Sequence, residues 1–238
     1  MSMPSSSPRP KSQHPLTDLI ISILIPSIIM MKLSGEEYLG SDGALILALA
    51  FPLGWGILEL IRYRSFNWIA LLGLVSTLLT GGIGLLRLDT QWLAVKEATV
   101  PCLLGVAVLV STRTRYPLVR TLLYSPQILN IDKIQTHLEQ RGVQAVFEQR
   151  LLRATYWLSS TFFFSATMNY ILAKWLVTSP SGSEAFNAEL GQMTLLSYPM
   201  IAIPCTLMML GILYYLWRTI HGLTGLSLEE ILAHPPQK

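Results

Sequence analysis

A lysine and a glutamate stand side by side in an otherwise apolar run, Lys96 and Glu97 within WLAVKEATVPCLLGVAVLVS. Ionisable groups are costly inside a bilayer and commonly serve there as coupling charges, proton relays or substrate contacts. Pro101 follows Glu97 by four residues, so the Glu97 carbonyl loses its helical donor, and the pair could become a polar spot facing a bundle interior. The competing reading starts the helix later, leaving both residues at the outer interface with Lys96 snorkelling to water. Asn169 lies deep in a second apolar run, where an amide serves as packing glue bonded across to another helix or, less commonly, as a substrate contact. Glu59 lies three residues before Arg62, a spacing that favours a plain ion pair at a helix edge over a proton relay. Asp18 opens the first apolar run, where a carboxylate suits the positive end of a helix dipole. Glu36, Glu37 and Asp42 form an acidic cluster that reads as a solvated loop rather than a cation site.

Familiar catalytic patterns do not occur. His14, His137, His221 and His234 are far apart and lack zinc spacing, and no phosphate loop or GxSxG elbow is present. Cys102 and Cys205 each sit in an apolar run, as buried thiols do, rather than in a disulfide framework or thiolate metal site. The sequence therefore leads to an expectation of no catalytic, cofactor-binding or metal-binding residues. Net charge is only +3, with no aromatic-interleaved basic patch, so a nucleic-acid partner is not expected.

The elements that must position these residues are set by hydropathy. Charged residues make up 13% of the chain, and mean hydropathy is +0.48. Soluble domains carry about 25% charged residues, so lipid is expected to be much of the solvent. Six apolar stretches predict an all-α, polytopic transmembrane bundle: Leu16–Leu33, Gly43–Ile61, Phe66–Leu86, Trp92–Ser111, Leu151–Val177 and Gly191–Trp217. The first is read as a helix and not as a cleaved signal, being too long for a signal core and lacking a small-residue cleavage pattern. With both termini cytoplasmic, thirteen of the 17 Lys and Arg residues fall inside, and only Lys32, Arg87, Lys96 and Lys174 fall outside. Tryptophans at positions 55, 68, 92, 157, 175 and 217 lie near the ends of the runs, as interface anchors do. Prolines 26, 52, 101, 199 and 204 fall within predicted helices, and no GxxxG pair occurs.

The expected organisation is a disordered cytoplasmic tail over 1–15, a six-helix domain over 16–217 with a cytoplasmic loop at 112–150, and a C-terminal tail over 218–238. Within the loop, Asn130 is a helix N-cap, Ile131, Ile134 and Leu138 share one face, and Gly142 is a stop. This short helix is expected to lie on the inner membrane face or on the bundle. Ser227 and Glu230 have capping-box spacing ahead of Pro235 and Pro236.

The run closing in Asn169-Tyr170-Ile171-Leu172-Ala173-Lys174-Trp175 resembles the bacterial intracellular septation protein A family and the related VC0807-like small membrane proteins. Asp18 with Pro26, Arg62-Tyr63-Arg64, and Lys96 with Pro101 ahead of Leu103 to Ser111 are compatible with that likeness, which spans about Leu16 to Thr219. Departures are the N-terminal extension, the longer central loop, and Leu151 where an aromatic residue is expected; they favour the VC0807-like branch. The resemblance implies a bacterial inner-membrane protein of cell-envelope maintenance or division, acting without catalysis through lipid or protein partners such as other division proteins. A small-solute or lipid transporter with inverted three-helix halves is the alternative. Oligomeric state is left open.

Overall fold

The computed structural model describes residues 23–63, 68–113 and 129–232. In chain order the helices are α1 (Ile25–Lys32), α2 (Gly40–Tyr63), α3 (Trp68–Leu85), α4 (Gln91–Ser111) and α5 (Ile131–Gln140). They continue with α6 (Gln144–Leu176), α7 (Glu184–Ser197), a π-turn at Tyr198–Ala202, α8 (Ile203–Thr224) and α9 (Leu228–Ile231). Among the described residues the chain is all-α, relieved by one isolated antiparallel bridge between Leu129 and Leu232. It divides into two compact units, one holding residues up to Leu88 with Ser179–Leu195, the other Asp89–Thr178 with Leu196 onward.

In the first unit α1 packs on α2, and α2 on α3. The second contact is close because α3 presents glycines. A β-carbon at Gly84 would strike Leu45, and one at Gly81 would come within 2.6 Å of Leu49 Cδ1. Ala44, Leu45 and Ala48 are buried beneath them. The turn from α1 to α2 closes with Leu39 N–H donating to Leu33 O and Gly40 N–H donating to Gly35 O. Gly40 takes φ +67 there, a conformation that costs glycine little.

In the second unit α4 lies along α6, and α6 packs on α8. Ser159 Oγ donates to Gly105 O at 2.9 Å, which is possible because Gly105 lets the backbones approach. Leu151, Ala154 and Leu158 of α6 meet Ile212, Leu216 and Ile220 of α8 in one apolar core. Each fully buried leucine or isoleucine contributes about 1.5–3 kcal/mol. α5 begins where the sequence places it: Asn130 Oδ1 accepts from Lys133 N–H at 3.3 Å, and Gly142 ends the turn at φ +66. Ile134 and Leu138 are buried in the same core, so α5 lies on the bundle.

Two helical runs of the described residues are long and apolar enough to cross a membrane, Gln91–Ser111 and the continuous Glu184–Thr224. Gly40–Gly54 and Val75–Leu85 are shorter apolar stretches. α6 has the length, at 33 residues, but hydroxyl and amide side chains dilute it. The first expected helix is described only from Ile25. α6 and α7 start well before their apolar runs. α6 reaches back from Leu151 to Gln144 because Phe147 and Leu151, one turn apart, both bury in the core. α7 starts at Glu184, seven residues ahead of Gly191, since Ser183 Oγ accepts from Phe186 N–H at 3.1 Å as an N-cap. Pro199 cannot donate within its helix, and the chain answers with a π-turn in which Ile203 N–H reaches Tyr198 O.

Candidate functional site

α4 begins at Gln91, so Lys96 and Glu97 lie inside regular helix and the later start is overturned. Five residues precede Lys96, which sets it about 7.5 Å along the helix. Lys96 Nζ meets Glu97 Oε1 at 2.6 Å, with the two side chains 11% and 22% exposed. Neighbours on a helix diverge by about 100°, so the long lysine stem must curl round to its partner. The result is a compact, neutral, largely covered ion pair one turn before Pro101.

Asn169 does not bond across to another helix through its amide nitrogen. Nδ2 donates to Ser165 O at 2.8 Å and reaches Ser165 Oγ at 3.3 Å, both one turn earlier in α6. Ser165 in turn shares a hydrogen bond with Cys205 of α8. The link between helices thus runs through the serine, and Asn169 supports it from behind. Lys96 and Glu97 pair on α4, whereas Asn169 bonds within α6. Asp18 lies outside the described residues, as does the side-chain pairing of Glu59 with Arg62. Glu36, Glu37 and Asp42 are exposed, as a solvated loop requires. Cys102 and Cys205 are free and half-buried.

A fully enclosed polar side chain in the first unit is one that hydropathy did not single out. Asn187, in the first turn of α7, has no exposed surface. Its Nδ2 donates to Ser41 O at 2.7 Å and to Ser34 Oγ at 3.1 Å, tying α7 to the turn between α1 and α2. Ser34 Oγ donates onward to Met30 O at 2.7 Å. One turn along α7, a β-carbon at Gly191 would stand 3.0 Å from Ser27 O, so α1 and α7 approach nearly backbone to backbone. Asn187 Oδ1 and Ser27 Oγ are buried without a hydrogen-bond partner. A nearby carboxylate, Glu189, accepts from both Ser179 N–H at 2.9 Å and Ser179 Oγ at 2.6 Å.

The second unit ends in a clasp. Ser227 and Glu230 form the full capping box, and Lys133 Nζ of α5 meets Glu230 Oε1 at 2.8 Å. Asn130 N–H donates to Ile231 O, beside the Leu129–Leu232 bridge. The Lys133 ammonium first, and then the Ser227 N–H and hydroxyl, hold the Glu230 carboxyl down at about 2. Nearby, Trp217 stacks on His221, whose Nδ1 lies 2.7 Å from Leu226 O. The Trp217 indole N–H is buried and unpartnered, unlike the exposed Trp92, Trp157 and Trp175. Among the described residues no three of His, Cys, Asp and Glu lie together as a metal site.

The fold is therefore all-helical, with two runs suited by length and composition to a membrane and polar groups held largely in pairs and caps. No family model, curated protein or solved structure matches the chain.

Proposed function

We propose that this chain is a multi-pass protein of a bacterial inner membrane, with six spanning helices and both termini cytoplasmic. It acts without catalysis, holding lipid or protein partners in envelope maintenance or division. The observation that carries the membrane part is exposure. The apolar windows of Gln91–Ser111 and Glu184–Thr224 are only 22% and 17% buried within the protein. The core helix of a soluble protein would be mostly buried, yet Leu103, Leu207 and Leu210 are each more than half exposed. Contiguous apolar surface of this kind needs a nonaqueous cover. The thirteen-to-four division of basic residues supports the orientation, and the septation protein A resemblance supports the envelope role. The Lys96–Glu97 pair supports a fixed structural part, because its charges neutralise each other.

Membrane fractionation with cysteine labelling tests the topology. The chain should resist alkaline carbonate extraction, and Gln140→Cys should react with an impermeant reagent only after the inner membrane is opened. Carbonate release, or labelling at that position from outside, refutes the reading.

A transporter for small solutes or lipids is the second reading. It is favoured by the π-turn at Tyr198–Ala202, since interrupted helices present backbone carbonyls of the kind used in transport sites. The variant Lys96→Gln with Glu97→Gln separates the two. As a scaffold it should insert and complement a deletion strain; normal insertion with complete failure to complement would favour transport.

A further inference from the structure

Two exposed arginines, Arg153 of α6 and Arg218 of α8, lie on this packed helix pair. Ser165 meets Cys205 and Trp157 meets Tyr215, with ring centroids 4.7 Å apart, so the two helices run antiparallel. Arg153 lies one turn before Trp157 on α6. Arg218 lies three residues after Tyr215 and four after Tyr214 on α8. Because the helices are antiparallel, both steps lead toward the same end, by about 6 Å and 4.5 Å. Ala154 and Leu158 of α6, and Leu216, Thr219 and Ile220 of α8, take the buried faces. Arg153 and Arg218 are left exposed, and each shares a helix face with an aromatic residue four positions away, Trp157 and Tyr214. Neither has a carboxylate partner among the described residues. Trp157 and Tyr214, 48% and 57% exposed, lie one turn deeper.

We infer that Arg153 and Arg218 hold the phosphate of an anionic phospholipid of the cytoplasmic leaflet, with Trp157 and Tyr214 at its glycerol-ester level. The inference rests on the membrane reading above. Axes of packed helices are about 8–10 Å apart, so two flexible guanidinium side chains at one level can converge on one phosphate. Without an anion they would repel one another. Guanidinium forks match phosphate oxygens, and amphipathic rings favour the headgroup boundary. A soluble phosphate would satisfy the charges but leave the exposed rings uncovered, so a lipid is the better fit.

The full chain is placed in nanodiscs of phosphatidylcholine carrying increasing phosphatidylglycerol, and the lipid retained in detergent is measured by native mass spectrometry. A basic residue near an anionic surface favours that surface by about fivefold. Arg153→Gln with Arg218→Gln should therefore lower the preference for phosphatidylglycerol by up to about 25-fold. Lys174→Gln, which removes a charge from the opposite end of α6, should not change it. No wild-type preference, or an equal loss in the Lys174 variant, overturns the inference. In phosphatidylcholine alone, inorganic phosphate should leave the melting temperature unchanged; stabilisation that the double variant abolishes would assign the pair to a soluble anion instead. Failure of the chain to enter any nanodisc would sink the membrane reading itself, whereas entry without lipid preference sinks this inference alone.

Discussion

Asn187→Asp is the sharpest probe of the first unit, because it changes one buried atom from donor to acceptor at almost constant shape. The native Nδ2 makes two bonds, to Ser41 O and Ser34 Oγ. A protonated carboxyl can donate once, so at low pH the variant loses one bond, about 1 kcal/mol. An ionised carboxylate would face Ser41 O as a second acceptor at a site with no exposed surface. Burial and the missing donors both raise its folded pKa, by about 3–5 units for a fully buried group. The unfolded value is about 3.9. A raised carboxyl pKa means that the unfolded chain binds fewer protons than the folded one between the two values, so stability falls as pH rises. From pH 4 to 7 the loss accumulates at about 1.4 kcal/mol per unit, or about 4 kcal/mol in all. Thermal unfolding in detergent across that range should show the variant close to wild type at pH 4 and much weaker at pH 7, with the wild type much flatter. An equally stable variant at both values would refute the claim that this amide is enclosed and that its donors matter.

The clasp should open in acid. Glu230 is held low, so its contribution is present above the unfolded value of 4.5 and is lost as pH falls toward about 2. Hydrogen-exchange protection over Ser227–Leu232 should decline in that window for wild type and show no such step in Glu230→Gln. The carboxyl is exposed, so added salt should shrink the effect. Gly105→Leu should destabilise by at least about 1–3 kcal/mol, since even a β-carbon would stand 3.2 Å from Phe162 Cβ and 3.3 Å from the Phe163 ring; unchanged thermal stability would deny the close packing of α4 on α6. Glu97→Gln alone should cost more than the double variant with Lys96→Gln, because it removes the carboxylate held 2.6 Å from a covered ammonium, a loss of up to about 3–5 kcal/mol; the reverse order in a denaturation series would show that the pair is not buried as a unit.

Local signals were the legible ones. Asn130, Gly142 and the Ser227–Glu230 box mark helix ends through bonds that span three to five residues, so the sequence alone suffices to place them. The start of α4 lies one residue from its expected position because Trp92 opens an apolar run that Lys96 and Glu97 interrupt without ending. The early starts of α6 and α7 were not legible from hydropathy, which marks only where a helix is apolar all round. Phe147 buries one face of an otherwise polar turn, and Phe186 does so beside Glu184 and Asn187. Asn187 was hidden for the same reason. In SEAFNAEL it resembles a loop residue, and its enclosure depends on Ser34 and Ser41, about 150 residues away. The Ser183 cap was the available clue, since it makes Asn187 a first-turn residue.

Asn169 failed as a cross-helix bond for a physical reason that also bears on the ion pair. A polar side chain in an apolar helix seeks the nearest partner, and the carbonyl one turn back is always within reach. Asn169 takes it, as do Thr155, Thr161, Thr167, Thr194 and Thr206 in the long helices. Lys96 likewise finds the adjacent Glu97. Bonds of this local kind cancel polarity without specifying which helix lies alongside. In the apolar helices, bonds that do specify neighbours include Ser159 to Gly105 O, Ser165 with Cys205, and Asn187 to Ser34 and Ser41 O. In each, one partner is a small residue or a backbone carbonyl brought close by small residues. Apolar side chains on either helix could slide by a turn at modest cost, whereas these short contacts exist at only one register. Register between these apolar helices is therefore set by serine, glycine and one buried asparagine, while Lys96 and Glu97 neutralise each other where they stand.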